Sequence, residues 1–456
     1  MPQAGGQTSN ASQPTGQRLL IAAGGALGVI GILGPRAMPV LLPLVLSAVA
    51  AFAVRRTGAE RGVPAPGLVS ADSANPTANS SFMDAFGGRF GFAALVWSAA
   101  VSWAAITLAW TPDLANGVSK VLTGALIAAC VVALAAYRQR LAVDAVQIVL
   151  TATVVGAVLS FAVLCFEVFS DQALKLWVYN AVPELRGSIK DLNIRDNVVF
   201  AVGMQERNHS IAVANLLFWP LAGAFWLLRG ARNAGAGGRR VDLLAIAGLW
   251  LVLAATTFAS AHDTSKVAVL VGGSAVGMAL VSVTWTRRAL IAGWVAVFAL
   301  IVPFVLALYA NGVHRAPALE ASAQARVILW AVTAQKWQER PITGIGVAGT
   351  RALDDRDKAT APWPDGYPYA LRTGRHAHNV YLQTFYELGI VGAVLLAAGG
   401  IALIMATAGL ASVLQPFAIA AFATSAAMMG LSWGMWQAWF QCAFAGVLIL
   451  LILASV

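Results

Sequence analysis

Charge is scarce in this 456-residue chain: 11% of its residues are Asp, Glu, Lys or Arg, while 59% are hydrophobic. At a mean hydropathy of +0.73, so little charge excludes an ordinary soluble domain, in which about a quarter of the residues are charged. Cysteine is scarcer still. Cys130, Cys165 and Cys442 all fall inside apolar runs, without metal-site spacing or a disulfide framework, which excludes cysteine chemistry as the function. The N-terminus lacks a basic segment followed by a short apolar stretch and a small-residue cleavage site, so no cleaved signal peptide is expected. Residues 1–18, polar and rich in Gly, Ser and Gln, read instead as a disordered tail before a retained helix.

Long apolar runs dominate what remains. About 20 apolar residues cross a bilayer core, and the hydropathy predicts twelve spans, near 19–34, 39–54, 90–110, 117–137, 146–169, 209–228, 241–260, 266–285, 289–310, 384–408, 412–430 and 435–455. The predicted fold is an all-α polytopic membrane protein. Arg55, Arg56, Arg61, Arg138, Arg140, Arg229, Arg232, Arg239, Arg240, Arg287 and Arg288 fall in loops of one side with few acids, which makes that side cytoplasmic and places both termini there. The stretch 57–88, rich in Pro, Ser, Ala and Gly, reads as a linker. The opposite side carries two long polar segments, 171–208 within the first nine spans (19–310) and a large loop at 311–378 before the last three (379–456).

Cations cluster where these outer segments meet membrane ends. Arg207 lies in "QERNHS", Lys266 closes "SAHDTSK" together with His262, and Arg375 precedes "HAHN". Such groups suit an anionic head group such as a lipid-linked phosphate; equally, Asp263 or Thr264 can cap a helix with Lys266 snorkelling to the interface. In "ARVILWAVTAQKWQERP", Arg326, Trp330, Thr333, Trp337 and Arg340 recur at three- and four-residue spacing, which predicts one face of a helix lying at the membrane surface. Of its cations, Arg326 can bind phosphate oxygens in bidentate fashion. His376 and His378 are half a metal site at most, with no third ligand spaced to complete it and arginines nearby, so no metal is expected. If a helix starts near Asn379, then Asn379, Gln383 and Glu387 form a polar stripe along it, and an acid at that depth is costly unless paired or functional.

The motif "ARVILWAVTAQKWQERPITGIG" followed by "HAHNVYLQTFYELGIVG" resembles the O-antigen ligase family, which shares its core domain with Wzy-like polymerases and bacterial protein O-oligosaccharyltransferases. The resemblance implies a GT-C-like glycosyltransferase with a large periplasmic loop containing interfacial helices, in the bacterial inner membrane. It implies a donor glycan on undecaprenyl pyrophosphate, a lipid A-core acceptor, inverting transfer in lipopolysaccharide biosynthesis, and neither cofactor nor nucleic-acid partner. Carried onto this chain, His378 is the general base and Arg326 the motif arginine, with Arg207, Lys266 and Arg375 as further pyrophosphate-binding cations. His376, Asn379, Gln383, Glu387, His262 and Trp330 take supporting places. A polymerase, a protein O-oligosaccharyltransferase or, more distantly, an anionic-lipid transporter are the competing readings; the transporter calls for repeated halves or mid-span cations, which the sequence lacks.

Overall fold

A computed structural model describes residues 13–53, 89–186, 192–230, 236–431 and 433–456. Residues 1–12 of the expected tail, the expected linker at 57–88, and Arg55, Arg56, Arg61 and Arg232 lie outside the described residues. The helices are α1 (Gln13–Leu33), α2 (Met38–Ala53), α3 (Arg89–Ile106), α4 (Leu114–Tyr137), α5 (Val143–Phe169), α6 (Ala173–Ala181), α7 (Gln205–Gly230), α8 (Ala236–Ala259), α9 (Asp263–Ala310), α10 (Ala321–Trp337), α11 (Gly349–Asp357), α12 (Val380–Ala406), α13 (Gln415–Leu431) and α14 (Ala438–Ala454). One antiparallel hairpin, β1 (Leu192–Arg195) with β2 (Val198–Val202), departs from the all-helical expectation.

Among the described residues, nine helices are long and apolar enough to cross a membrane, and α13 and α14 are shorter apolar helices. An apolar sequence takes this form because a helix satisfies its own backbone donors and acceptors where water cannot. Every predicted span falls on one of these helices, with two changes. The chain becomes helical at Gln13, so residues 13–18 are helix rather than tail. The eighth and ninth spans fall within the single 48-residue α9, broken only at Ser282, whose backbone is extended (φ −156°, ψ 102°).

That one extended residue reverses the chain. Thr264, at the start of α9, donates to the carbonyl of Leu431 at the end of α13 (2.7 Å), whereas Arg287 donates to Thr407 and Gln415 at the opposite end of the bundle (3.2 and 2.9 Å). Farther on, Trp294 donates to the Ala397 carbonyl (2.9 Å), and Val305 is back beside Ala377 and Leu382. Arg287 and Arg288 are therefore helical rather than in the predicted connecting turn. The end of the bundle that carries residues 311–378 also gathers the termini of α7, α9, α12 and α13, and there the polar side chains converge.

Candidate active site

The loop helix comes first. α10 does not lie on the surface as its polar face predicts: Val327, Ile328, Leu329, Ala331, Val332, Thr333 and Ala334 are all buried, and Trp330 packs against the cluster of Val305, Ala334, Ala377 and Leu382. Six apolar residues on the other faces outweigh one polar stripe, whose own Thr333 is buried with them, because burial is driven by apolar area removed from water. This burial leaves Arg326 half-buried near the N-terminal end of α10.

Downstream of α10 the segment 341–350 is plugged into a break in α12. Gly389 there adopts a left-handed backbone (φ 67°, ψ −169°), and a Cβ at this position would collide with the Ile342 backbone. The break frees carbonyls that the plug then engages. Ile345 N–H donates to Tyr386 O (3.0 Å) and Gly346 N–H to Glu387 O (2.9 Å), while Ile390 N–H donates to Pro341 O (2.9 Å). Trp103 Nε1 of α3 supplies the donor for Leu388 O (2.8 Å). Irregular backbone inside an apolar bundle survives only when its polar groups are satisfied in this way.

Glu387 completes the plug. Its carboxylate accepts from Ala348 N–H (2.9 Å), Thr350 N–H (3.2 Å), the Thr350 hydroxyl (2.5 Å), Gln383 Nε2 (3.1 Å) and Trp436 Nε1. Gln383 in turn accepts from Met435 N–H (3.1 Å), and Asn379 caps α12 by accepting from Leu382 N–H (3.0 Å). The polar stripe of Asn379, Gln383 and Glu387 is thus wholly engaged in fixing the loop, the helix start and the α13–α14 connection.

On this scaffold the histidines are held closely. His378 has a left-handed backbone (φ 51°), an unusual conformation outside glycine, and its ring lies 4.1 Å from that of His376. His376 is wedged from the other side by Gly434, where an added Cβ would come within 2.8 Å of the His376 Cβ. Burial pushes the His376 pKa down to about 4, so this imidazole is neutral at ordinary pH. Among the described residues no three His, Cys, Asp or Glu side chains gather as a metal set.

His378, His376, Arg326 and Arg375 line one cavity of about 480 Å³ together with Asp354, Asp355, Lys358, Tyr369 and Arg372. Most cations near it are matched by carboxylates: Arg375 with Asp355 (3.4 Å), Arg372 with Asp354 (3.0 Å) and, beyond the cavity wall, Lys266 with Asp263 (2.9 Å). Arg326 makes no hydrogen bond and no ion pair among the described residues. Burial lowers its pKa and the more distant Asp263 charge raises it, but a guanidinium stays charged in a protein. Its field reaches His262, whose pKa burial and then Arg326 hold down to about 3.

His262 joins this site to a second group. Its Nδ1 lies 2.6 Å from Ser265 Oγ, and its ring stacks on Trp433 at 4.7 Å. Trp433 also meets His209 at 4.9 Å, and His209 meets Trp439 at 4.3 Å. Arg207, buried, has Asp171 as its one ion-pair partner among the described residues, at 3.6 Å, on the α5–α6 side and outside the cavity lining. The structure therefore brings Arg326, Arg375, His376 and His378 to one cavity, sets His262 and Lys266 beside it, and leaves Arg207 in a neighbouring cluster.

Sequence reasoning passed over the connection 431–439, which supplies Trp433, Gly434, Met435 and Trp436 to the site floor, and the 341–350 plug. Three tryptophans at 433, 436 and 439, clustered where the last predicted span begins at a membrane end, were the available signal. Residues 247–397, which hold the plug, the cavity and both histidines, match the family model described as O-Antigen ligase. No curated protein matches the chain. The match supports assigning residues 247–397 to the O-antigen ligase family, whose members carry out ligase- or polymerase-type glycosyl transfer in O-antigen and lipopolysaccharide pathways.

Proposed function

On that family assignment, we propose that the chain is the ligase: it moves a glycan from undecaprenyl pyrophosphate to a hydroxyl of lipid A-core, at the periplasmic face of the inner membrane. The observation that carries this reading is the pairing, in one cavity, of an uncompensated Arg326 with His378. The acceptor oxygen attacks the anomeric carbon as its proton passes to the His378 imidazole, and the bond from that carbon to the pyrophosphate oxygen breaks. A single displacement of this kind inverts the anomeric centre. General-base assistance contributes roughly 10²- to 10⁴-fold.

The charge left on the pyrophosphate grows in the transition state, and a positioned guanidinium stabilises it there more than in the ground state. Arg326 fits this part because no carboxylate has already neutralised it. In this reading side-chain cations, not a metal ion, offset the leaving-group charge, with Lys266 drawn from Asp263 and Arg375 from Asp355, and Arg207 standing in a neighbouring cluster beside Asp171. His376, neutral and wedged between Gly434 and His378, orients the base. The test is reconstitution with a lipid-pyrophosphate-linked glycan and purified lipid A-core, resolving products by gel. A joined product supports the ligase; extension of the donor glycan alone replaces it with the polymerase reading.

A further inference from the structure

The cavity has a second wall that the proposed chemistry leaves unused. It is formed by α11 and the stretch 369–375. Asp354, its side chain 1% exposed, meets Arg372 at 3.0 Å. The Arg372 guanidinium in turn lies 5.1 Å from the centre of the Tyr369 ring. A buried ion pair stabilises weakly, because desolvation cancels much of its Coulomb energy, and packing alone gives no reason to place one on a cavity wall.

What such a wall provides is a fixed hydrogen-bonding array. A carboxylate accepts, a guanidinium donates in a rigid fork, and a phenol hydroxyl does both, beside an aromatic ring. A pyranose needs this combination: neighbouring hydroxyls that donate and accept at set spacing, and a C–H face that packs on a ring. The charges agree. Asp354 is paired with Arg372, so the Asp354–Arg372–Tyr369 face suits an uncharged sugar, while Asp355 is shared between Arg375 and Arg351 and the cations without a carboxylate partner among the described lining residues, Arg326 and Lys358, supply the charge a pyrophosphate needs. The volume, about 480 Å³, lies within the range of small-ligand pockets.

We propose that Asp354, Tyr369 and Arg372 form a sugar-binding subsite that holds a pyranose ring against His378. The inference rests on the glycosyl-transfer reading above, and the ring can come from either the donor's first sugar or the acceptor.

The test is equilibrium binding to full-length protein in lipid nanodiscs, using radiolabelled lipid-linked glycan and lipid A-core as separate probes. Tyr369→Ala and Arg372→Lys are expected to weaken binding of one probe on the order of tenfold, as loss of one or two hydrogen bonds does, with the other within about twofold. Weaker acceptor binding assigns the ring to the acceptor; weaker donor binding assigns it to the donor. Tyr369→Phe removes only the hydroxyl, and keeps the test valid if Arg372→Lys does not fold. Unchanged Kd for both probes, in variants with wild-type Tm, overturns the subsite. Because binding is read without turnover, a protein that binds both probes yet forms no joined product counts against the transfer reading and leaves the subsite standing.

Discussion

The Thr350 hydroxyl donates to the Glu387 carboxylate at 2.5 Å, tying the first turn of α11 to the N-terminal part of α12, just before its break at Gly389, across 37 residues of sequence. The same carboxylate takes up the N–H groups of Ala348 and Thr350 and the side chains of Gln383 and Trp436. Glu387 is consumed by holding the loop, and the reaction is left to groups on the cavity side.

Glu387→Ala strands several buried donors, each worth about 1–3 kcal/mol when unsatisfied. The expected outcome is a loss on the order of 3 kcal/mol or more, read as a Tm lower by several degrees in detergent. Glu387→Gln, which keeps the shape and one acceptor oxygen, is expected to lose less. Equal Tm for all three proteins contradicts the lock.

Gly389→Ala acts on the same plug from the backbone side. The new methyl group collides with the Ile342 backbone, and the φ 67°, ψ −169° conformation is essentially confined to glycine, costing another residue about 1–3 kcal/mol. Transfer activity and Tm are both expected to fall, and limited proteolysis is expected to open the 341–350 segment.

Arg326→Lys keeps the charge but loses the bidentate fork. A drop in kcat/KM of roughly 10- to 100-fold is expected, and a larger one for Arg326→Ala; removing a single oxyanion-stabilising donor costs about 10²–10³ in kcat. Steady-state transfer rates check both.

Stability depends on pH through the buried imidazoles. His376 and His262 have folded pKa values of about 4 and about 3, below the unfolded value of about 6.5. Between these limits the unfolded chain binds more protons, so stability falls as pH drops below about 6.5 and is insensitive to these groups above it. From pH 7.5 to pH 5 the loss is on the order of 2 kcal/mol for His376. Unfolding midpoints at the two pH values are expected to lie closer together in His376→Gln than in the wild type.

Much of this was legible in the sequence because it is local. The apolar runs became helices, α12 starts beside Asn379 with Gln383 and Glu387 along one stripe as expected, and Arg326 and His378, read from short motifs, line one cavity. What escaped depends on contacts distant in sequence. Trp103 satisfies Leu388 from 285 residues away, and Trp436 reaches Glu387 from the last connection, so neither leaves a periodic trace near its partner. The surface placement predicted for α10 failed because its Trp and Arg spacing marks one stripe, whereas Val327, Ile328, Ala331 and Ala334 on other faces decide its burial. The reversal at Ser282 was misplaced by several residues because "TRR" reads as a turn by charge, while Arg287 is helical and spends its charge-assisted donors on Thr407 and Gln415.

The most direct measurement is the single-turnover rate of glycan transfer by His378→Ala, in protein shown to bind the lipid-linked donor as the wild type does. The account predicts a rate lower by at least about 10²-fold, with donor affinity unchanged. Transfer at the wild-type rate contradicts it and removes His378 as the base.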